Sequence, residues 1–231
     1  AMSERAKSPR EKILSARESL RRIVPDDIEN LTALVKWREQ AKQHTEASQI
    51  VDRLHTRYGR NPAALKRVAE HFLWADMPAH ALEFYSRAAE LDLSDTASLK
   101  MKGSLLLWAG RLKEAESCLS AYVERVPDDI EGVYRLAEGY AQSRQTLKSR
   151  DLYTRFVALY QRLEPERKKA DVQTMYARAL WRLDRLSQAT ALYRQLHDQN
   201  PSDRGLRLEY AEALIAGGQY DRAESLLKKT R

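Results

Sequence analysis

A chain of 231 residues that is 43% hydrophobic can bury a sizeable core, as one elongated domain or two small ones. With only eight Gly and seven Pro among abundant Leu, Ala, Arg, Glu and Gln, it favours helix over strand. No apolar run reaches the roughly 18 residues that span a bilayer, and the lone Cys118 excludes an internal disulfide. The formal charge of +7 permits an acidic partner, but acidic and basic residues are interspersed throughout, as on a solvated helical surface rather than a nucleic-acid-binding stripe.

The N-terminal Ala1 before Met2 reads as a cloning scar, and residues 1–7 as a disordered tag. The stretch SPREKILSARESLRRIV predicts a helix over 8–24. Ser8 and Glu11 form a capping box there, with Pro9 in the first turn. It ends in VPDDIE at 24–29, and the same six letters return at 126–131, a separation of 102, or three times 34. Blocks of 34 follow without gaps: 28–61, 62–95, 96–129 and 130–163. Asp27, Asp95 and Asp129 precede three of them as helix caps, and Asn61 with Pro62 opens the other. Small residues recur at positions 8 and 20 (Ala69 with Ala81, Gly103 with Ala115, Ala137 with Ser149), where two helices must cross closely. Large apolar residues recur at position 24: Val51, Tyr85, Leu119 and Tyr153. Breakers such as AGR at 109–111 separate the two helices of a block.

Six extra residues, 164–169, then shift the frame and predict either a longer second helix or a longer loop. Block 170–203 carries Ala177, Ala189, Tyr193 and Pro201, and block 204–231 carries Ala211, Ala223 and Leu227. The chain stops at Arg231 inside an apolar-periodic stretch, so it reads as a fragment of a longer protein, with residues 8–27 the second helix of a preceding repeat. Cys118, at position 23, reads as a buried small apolar residue.

This pattern resembles the tetratricopeptide repeat, most plainly in GSLLLWAGRLKEAESCL and GGQYDRAESLLKK. Lys102 at position 7, Tyr122 at position 27, and Leu93 and Gln161 at position 32 depart from it. The resemblance implies an all-α, right-handed superhelical solenoid of antiparallel helix pairs. First helices would line its concave side and hold a peptide or a partner's helix. At about 100° per residue, positions 4, 7, 8 and 11 face the core and positions 2, 5, 9, 12 and 13 the concave side. The partner-binding candidates are therefore Lys36, Lys66, Glu70, Trp74, Lys100, Ser104, Trp108, Tyr134, Glu138, Arg178 and Trp181. Aromatics beside cations are the composition of an interaction hot spot, although Trp74 and Trp108 are equally placed to pack over the turn. Trp37, at position 10, reads as packing.

The carboxylate clamp that similar proteins use on acidic chaperone tails is absent, because Glu70, Met101 and Ser104 stand where it needs asparagines. The five histidines have no metal spacing, and no nucleophile or phosphate-loop motif occurs, so neither catalysis nor a cofactor or metal is expected. The expected function is a non-enzymatic scaffold. The arginine- and leucine-rich helices ending in LLW and LW resemble the periplasmic repeat arrays of bacterial exopolysaccharide export proteins of the Pel, cellulose or poly-N-acetylglucosamine type. That resemblance implies a periplasmic partner such as a polysaccharide deacetylase or hydrolase, contact with polysaccharide, and no nucleic acid. The alternative is a cytosolic adaptor or regulator that binds a peptide or protein ligand.

Overall fold

The structure, a computed structural model, describes residues 8–228; the expected tag at 1–7 and the last three residues of block 204–231 lie outside it. No strand occurs among the described residues, and the all-α class holds. The chain divides into two compact units, 1–111 and 112–231. The first contains α1 (Pro9–Ile23), α2 (Ile28–Gln40), α3 (His44–Tyr58), α4 (Pro62–Trp74), α5 (Pro78–Leu91) and α6 (Thr96–Trp108). The second contains α7 (Leu112–Arg125), α8 (Ile130–Gln142) and α9 (Thr146–Arg162), a 3-10 turn (Pro165–Arg167), then α10 (Ala170–Arg182), α11 (Leu186–Gln199), α12 (Arg204–Ala216) and α13 (Tyr220–Lys228).

Local chemistry sets these boundaries. Ser8 and Glu11 close a reciprocal capping box on α1. The side chains of Asp27, Asn61, Asp95, Asp129 and Asp203 accept backbone N–H groups at the starts of α2, α4, α6, α8 and α12, satisfying donors that a helix leaves open. Among the first helices of the blocks, α10 is the exception, since Lys169 before it offers no such cap. One residue in the left-handed region then follows the first helix of each block. These residues are Lys42, Asp76, Gly110, Arg144, Asp184 and Gly218, with φ between 59° and 71°. The first four are 34 residues apart, the next step is 40, and the last is 34 again.

Within each unit, sequential helices pack side by side through small residues. Ala69, Ala81, Ala137, Ala177 and Ala189 are wholly buried, which lets the backbones approach. Aromatics fill the space beside them. Phe72 and Phe84 stack at 5.5 Å in the first unit, and Tyr134 lies 5.2 Å from Phe156 in the second. Each fully buried ring of this kind contributes about 2 kcal/mol. The second helix of block 130–163 is long, since α9 runs for 17 residues, and residues 164–169 follow it as a loop that contains the 3-10 turn. Cys118 is half-buried, less enclosed than its apolar reading required.

Candidate partner-binding surface

In the first unit, a groove of about 590 Å³ lies along α2 and α4, lined among others by Lys36, Trp37, Gln40, His71 and Trp74. Trp74 is 75% exposed, and the His71 ring lies edge-on to it at 4.8 Å. Trp108, at the equivalent end of α6, is 62% exposed. Trp37, read from sequence as packing, is half-buried and lines the groove together with Trp74. Its position 10 lies just outside the stripe drawn by the helical wheel, and a wide aromatic ring reaches across that boundary.

The charged candidates of this unit are less available than their wheel positions suggest. Lys66 pairs with Asp95 at 3.1 Å, so its ammonium reinforces the cap of α6. Lys100 is half-buried, and Glu70 is exposed. Burial, with Glu70 and Asp95 nearby, pushes the Tyr85 hydroxyl up to about 12. Ser104 is a correction: it is only 6% exposed, within an unbroken buried run of Gly103 through Leu107. A helix that is apolar nearly all round at this level leaves no polar face for position 9 to occupy.

In the second unit, Tyr134 is the other correction. It is 1% exposed because its ring lies in the seam between α8 and α9, against Phe156 and Tyr153. Burial drives its hydroxyl above the ordinary tyrosine range. Glu138 accepts a hydrogen bond from the Tyr153 hydroxyl. Arg178 grips Glu209 through Nε at 2.7 Å and through a second guanidinium nitrogen, and that hydrogen bonding raises its pKa. Trp181 is half-buried, with the Arg182 guanidinium 5.6 Å over its ring. Sequence reasoning missed Arg182 and Glu209. Arg182 occupies position 13, like Trp74 and Trp108, and that shared register was the available signal. Glu209 sits at position 6, which the wheel assigns to neither face.

Another concavity, of about 790 Å³, lies between α1, α2 and α3. Its arginines are already matched: Arg21 and Arg38 with Glu18 at 2.9 and 2.7 Å, and Arg53 and Arg57 with Asp26, both at 3.1 Å. Hydrogen bonding from Arg53 foremost holds the Asp26 carboxyl below its usual range. Such a self-neutralised lattice has little charge to offer a ligand. Among the described residues, no group of His, Cys, Asp or Glu is arranged to hold a metal ion, and no helix is long and apolar enough to cross a membrane.

Comparison with known proteins bears on the fold. Residues 180–231 match the tetratricopeptide-repeat family model. A tetratricopeptide-repeat protein from Parabacteroides merdae superposes with a TM-score of 0.60 at 14% identity, over 94% of this chain and 83% of that one. A chain of the Cut9–Hcn1 hetero-tetramer of APC/C gives 0.61 at 14% identity, over 95% of this chain but 42% of that one. YrrB, described as a TPR protein with an unusual peptide-binding site, gives 0.51 at 16% identity, over 78% and 89%. The fold is that of the tetratricopeptide repeat. Among curated protein sequences the chain has no match.

Proposed function

We propose that the chain is a non-enzymatic protein-interaction scaffold of the tetratricopeptide-repeat family. Its repeats are 28–61, 62–95, 96–129, 130–163, 170–203 and 204–231, with 8–27 the second helix of a preceding repeat and 164–169 an insertion. The left-handed turn residue at position 15 of all six blocks supports this frame. The observation that carries the function is the pair of exposed indoles, Trp74 and Trp108, at equivalent ends of α4 and α6. Large aromatics held in solvent on rigid helices are what binding hot spots are made from. YrrB, with its peptide-binding site, and Cut9–Hcn1, a hetero-tetramer, support a protein ligand.

The partner we propose is a folded periplasmic enzyme that modifies an exopolysaccharide, a deacetylase or hydrolase. Support comes from the arginine- and leucine-rich helices with LLW and LW endings. The charge of +7 would add salt-sensitive attraction to an acidic partner or polymer. Pull-down from separated envelope and cytosolic extracts of the source organism tests the reading. An envelope enzyme of that class should be recovered, and Trp74→Ala or Trp108→Ala should weaken its binding by about 2 kcal/mol with little change in Tm. Recovery of cytosolic partners alone would replace it with the adaptor reading. Lost stability with unchanged affinity would make the indoles packing residues.

A further inference from the structure

The second unit holds a smaller concavity of a different kind. A pocket of about 210 Å³ opens between α8, α10 and α12, walled by Glu138, Arg178, Trp181, Arg182 and Glu209. Its carboxylates are fixed from behind by buried phenols. Tyr153 donates to Glu138 Oε1, and Tyr193 donates to Glu209 Oε2 at 3.2 Å. Arg178 takes up both oxygens of Glu209. The Tyr134 hydroxyl is shielded from solvent beside Arg178, and burial foremost raises it above the ordinary tyrosine range. Three groups are left to meet a ligand: Glu138 Oε2, for which no partner occurs among the described residues, the Arg182 guanidinium, which makes no ion pair among them and lies 5.6 Å over one face of the Trp181 ring, and the rest of that ring.

We propose that this pocket receives the uncharged carboxamide side chain, Gln or Asn, of the protein ligand; the assignment rests on the scaffold reading above. Two carboxylates and two guanidiniums wall the pocket, so its formal charges cancel. A lysine entering it would gain Glu138 but face Arg178 and Arg182. A glutamate would gain Arg182 but face Glu138 and Glu209. A hydrocarbon side chain would strip water from Glu138 Oε2 without replacing its hydrogen bond. A carboxamide donates N–H to Glu138, accepts from Arg182 and lays its methylene stem on Trp181, meeting each open group without adding charge. Because the tyrosines and Arg178 already hold both carboxylates in place, little ordering is left for the ligand to impose.

The test uses the whole chain and needs no knowledge of the partner. Blocked tripeptides with central Gln, Glu or Lys are titrated while the Trp181 indole N–H is followed by NMR. The Gln peptide should shift that signal saturably and bind about tenfold more tightly than the other two. Glu138→Ala and Arg182→Ala should each weaken it about tenfold; Arg182 is exposed, so its variant keeps the fold even if Glu138→Ala does not. Equal or tighter binding of the charged peptides, or no saturable shift, would overturn the assignment. Saturation by an N-acetylglucosamine oligomer in place of the peptides would overturn it as well, and would make the pocket a glycan site. If the partner still binds through Trp74 and Trp108 while the peptides fail, only the pocket assignment falls. If the Gln peptide binds but no protein partner is captured, it is the scaffold reading that fails.

Discussion

Asp95 in the first unit and Asp129 in the second do the same work by different means. Each caps the first helix of a block, α6 or α8, and each has its carboxylate held by a neighbouring side chain, Asp95 through the oxygen that does not cap and Asp129 through the capping oxygen itself. In the first unit the Ser98 hydroxyl donates to Asp95 Oδ2 at 2.6 Å, and Lys66 pairs with the same oxygen at 3.1 Å. Here position 27 of the preceding second helix is the small, buried Ala88. In the second unit position 27 is Tyr122, whose hydroxyl reaches Asp129 Oδ2 at 2.7 Å, and the place of Ser98 is taken by Gly132. A Cβ on Gly132 would lie 2.3 Å from the Tyr122 ring. The framework therefore conserves the held aspartate, and the identity of the residue that holds it follows from how much room the neighbouring helix leaves.

The sharpest way to break this comparison is to exchange the two solutions. Gly132→Ser should cost about 2 kcal/mol, because the ring it meets is tethered at both ends, by packing and by Asp129. Adding Tyr122→Ala to that variant should recover most of the loss, since it rebuilds the Ser-plus-Ala arrangement of the first unit. Chemical denaturation of the single and double variants measures both. Independent, additive losses would show that Tyr122 and Gly132 are not one device.

A smaller difference between the units emerges at alkaline pH. In the second unit burial, then the neighbouring carboxylates Glu138 and Glu209, push the Tyr153 and Tyr193 hydroxyls above their ordinary range. Tyr122, Tyr134 and Tyr160 are raised too, each chiefly by burial. In the first unit Tyr85, at about 12, is the one comparable case given by the described residues. The folded state holds these protons more tightly than the unfolded chain, whose tyrosines titrate near 10. Their stabilisation is therefore complete below about pH 10 and is lost as pH rises beyond it. Urea unfolding between about pH 9 and 12 should lose stability less steeply in Tyr153→Phe/Tyr193→Phe than in Tyr85→Phe. The double variant should start about 1 kcal/mol lower at neutral pH, from the hydrogen bonds removed. Equal slopes in the two variants would mean that the tyrosine layer of the second unit is not distinctive.

These contrasts also show where the sequence could be read and where it could not. Repeat length, caps and small residues are periodic, so Asp27, Asp95, Asp129 and the alanines at positions 8 and 20 declared the helix pairs directly. The exposed ends of α4 and α6 were legible for the same reason, as Trp74 and Trp108 stand at one register. Burial of Tyr134 was not legible, because a wheel gives the direction of a Cβ and not the reach of a phenol ring. Tyr122 looked like a departure at position 27, and only its distance to Asp129 and Gly132 reveals a compensated pair. The Arg178–Glu209 contact joins residues 31 apart on different helices, a relation that no intra-helix period encodes.

The smallest effect concerns the turn that both units share. Gly110 and Gly218 occupy the left-handed position at no steric cost, and an added Cβ would meet nothing within 4 Å at either. Arg144 holds the same conformation at φ 59° with a side chain that clashes intrinsically with its own backbone, a penalty of about 1–2 kcal/mol that Asp tolerates better. Arg144→Gly should therefore stabilise the chain, but by only about 0.5–1 kcal/mol, since glycine also gives the unfolded state more freedom to lose. Asp184→Gly should gain less, because it also removes the 3.2 Å pair with Arg150. Gly110→Ala should lose about 1 kcal/mol. Denaturation midpoints of the three variants give the order directly. A stabilisation by Asp184→Gly equal to that by Arg144→Gly would overturn this order, and would show that neither the Arg150 pair nor the tolerance of aspartate for the left-handed region counts at this position.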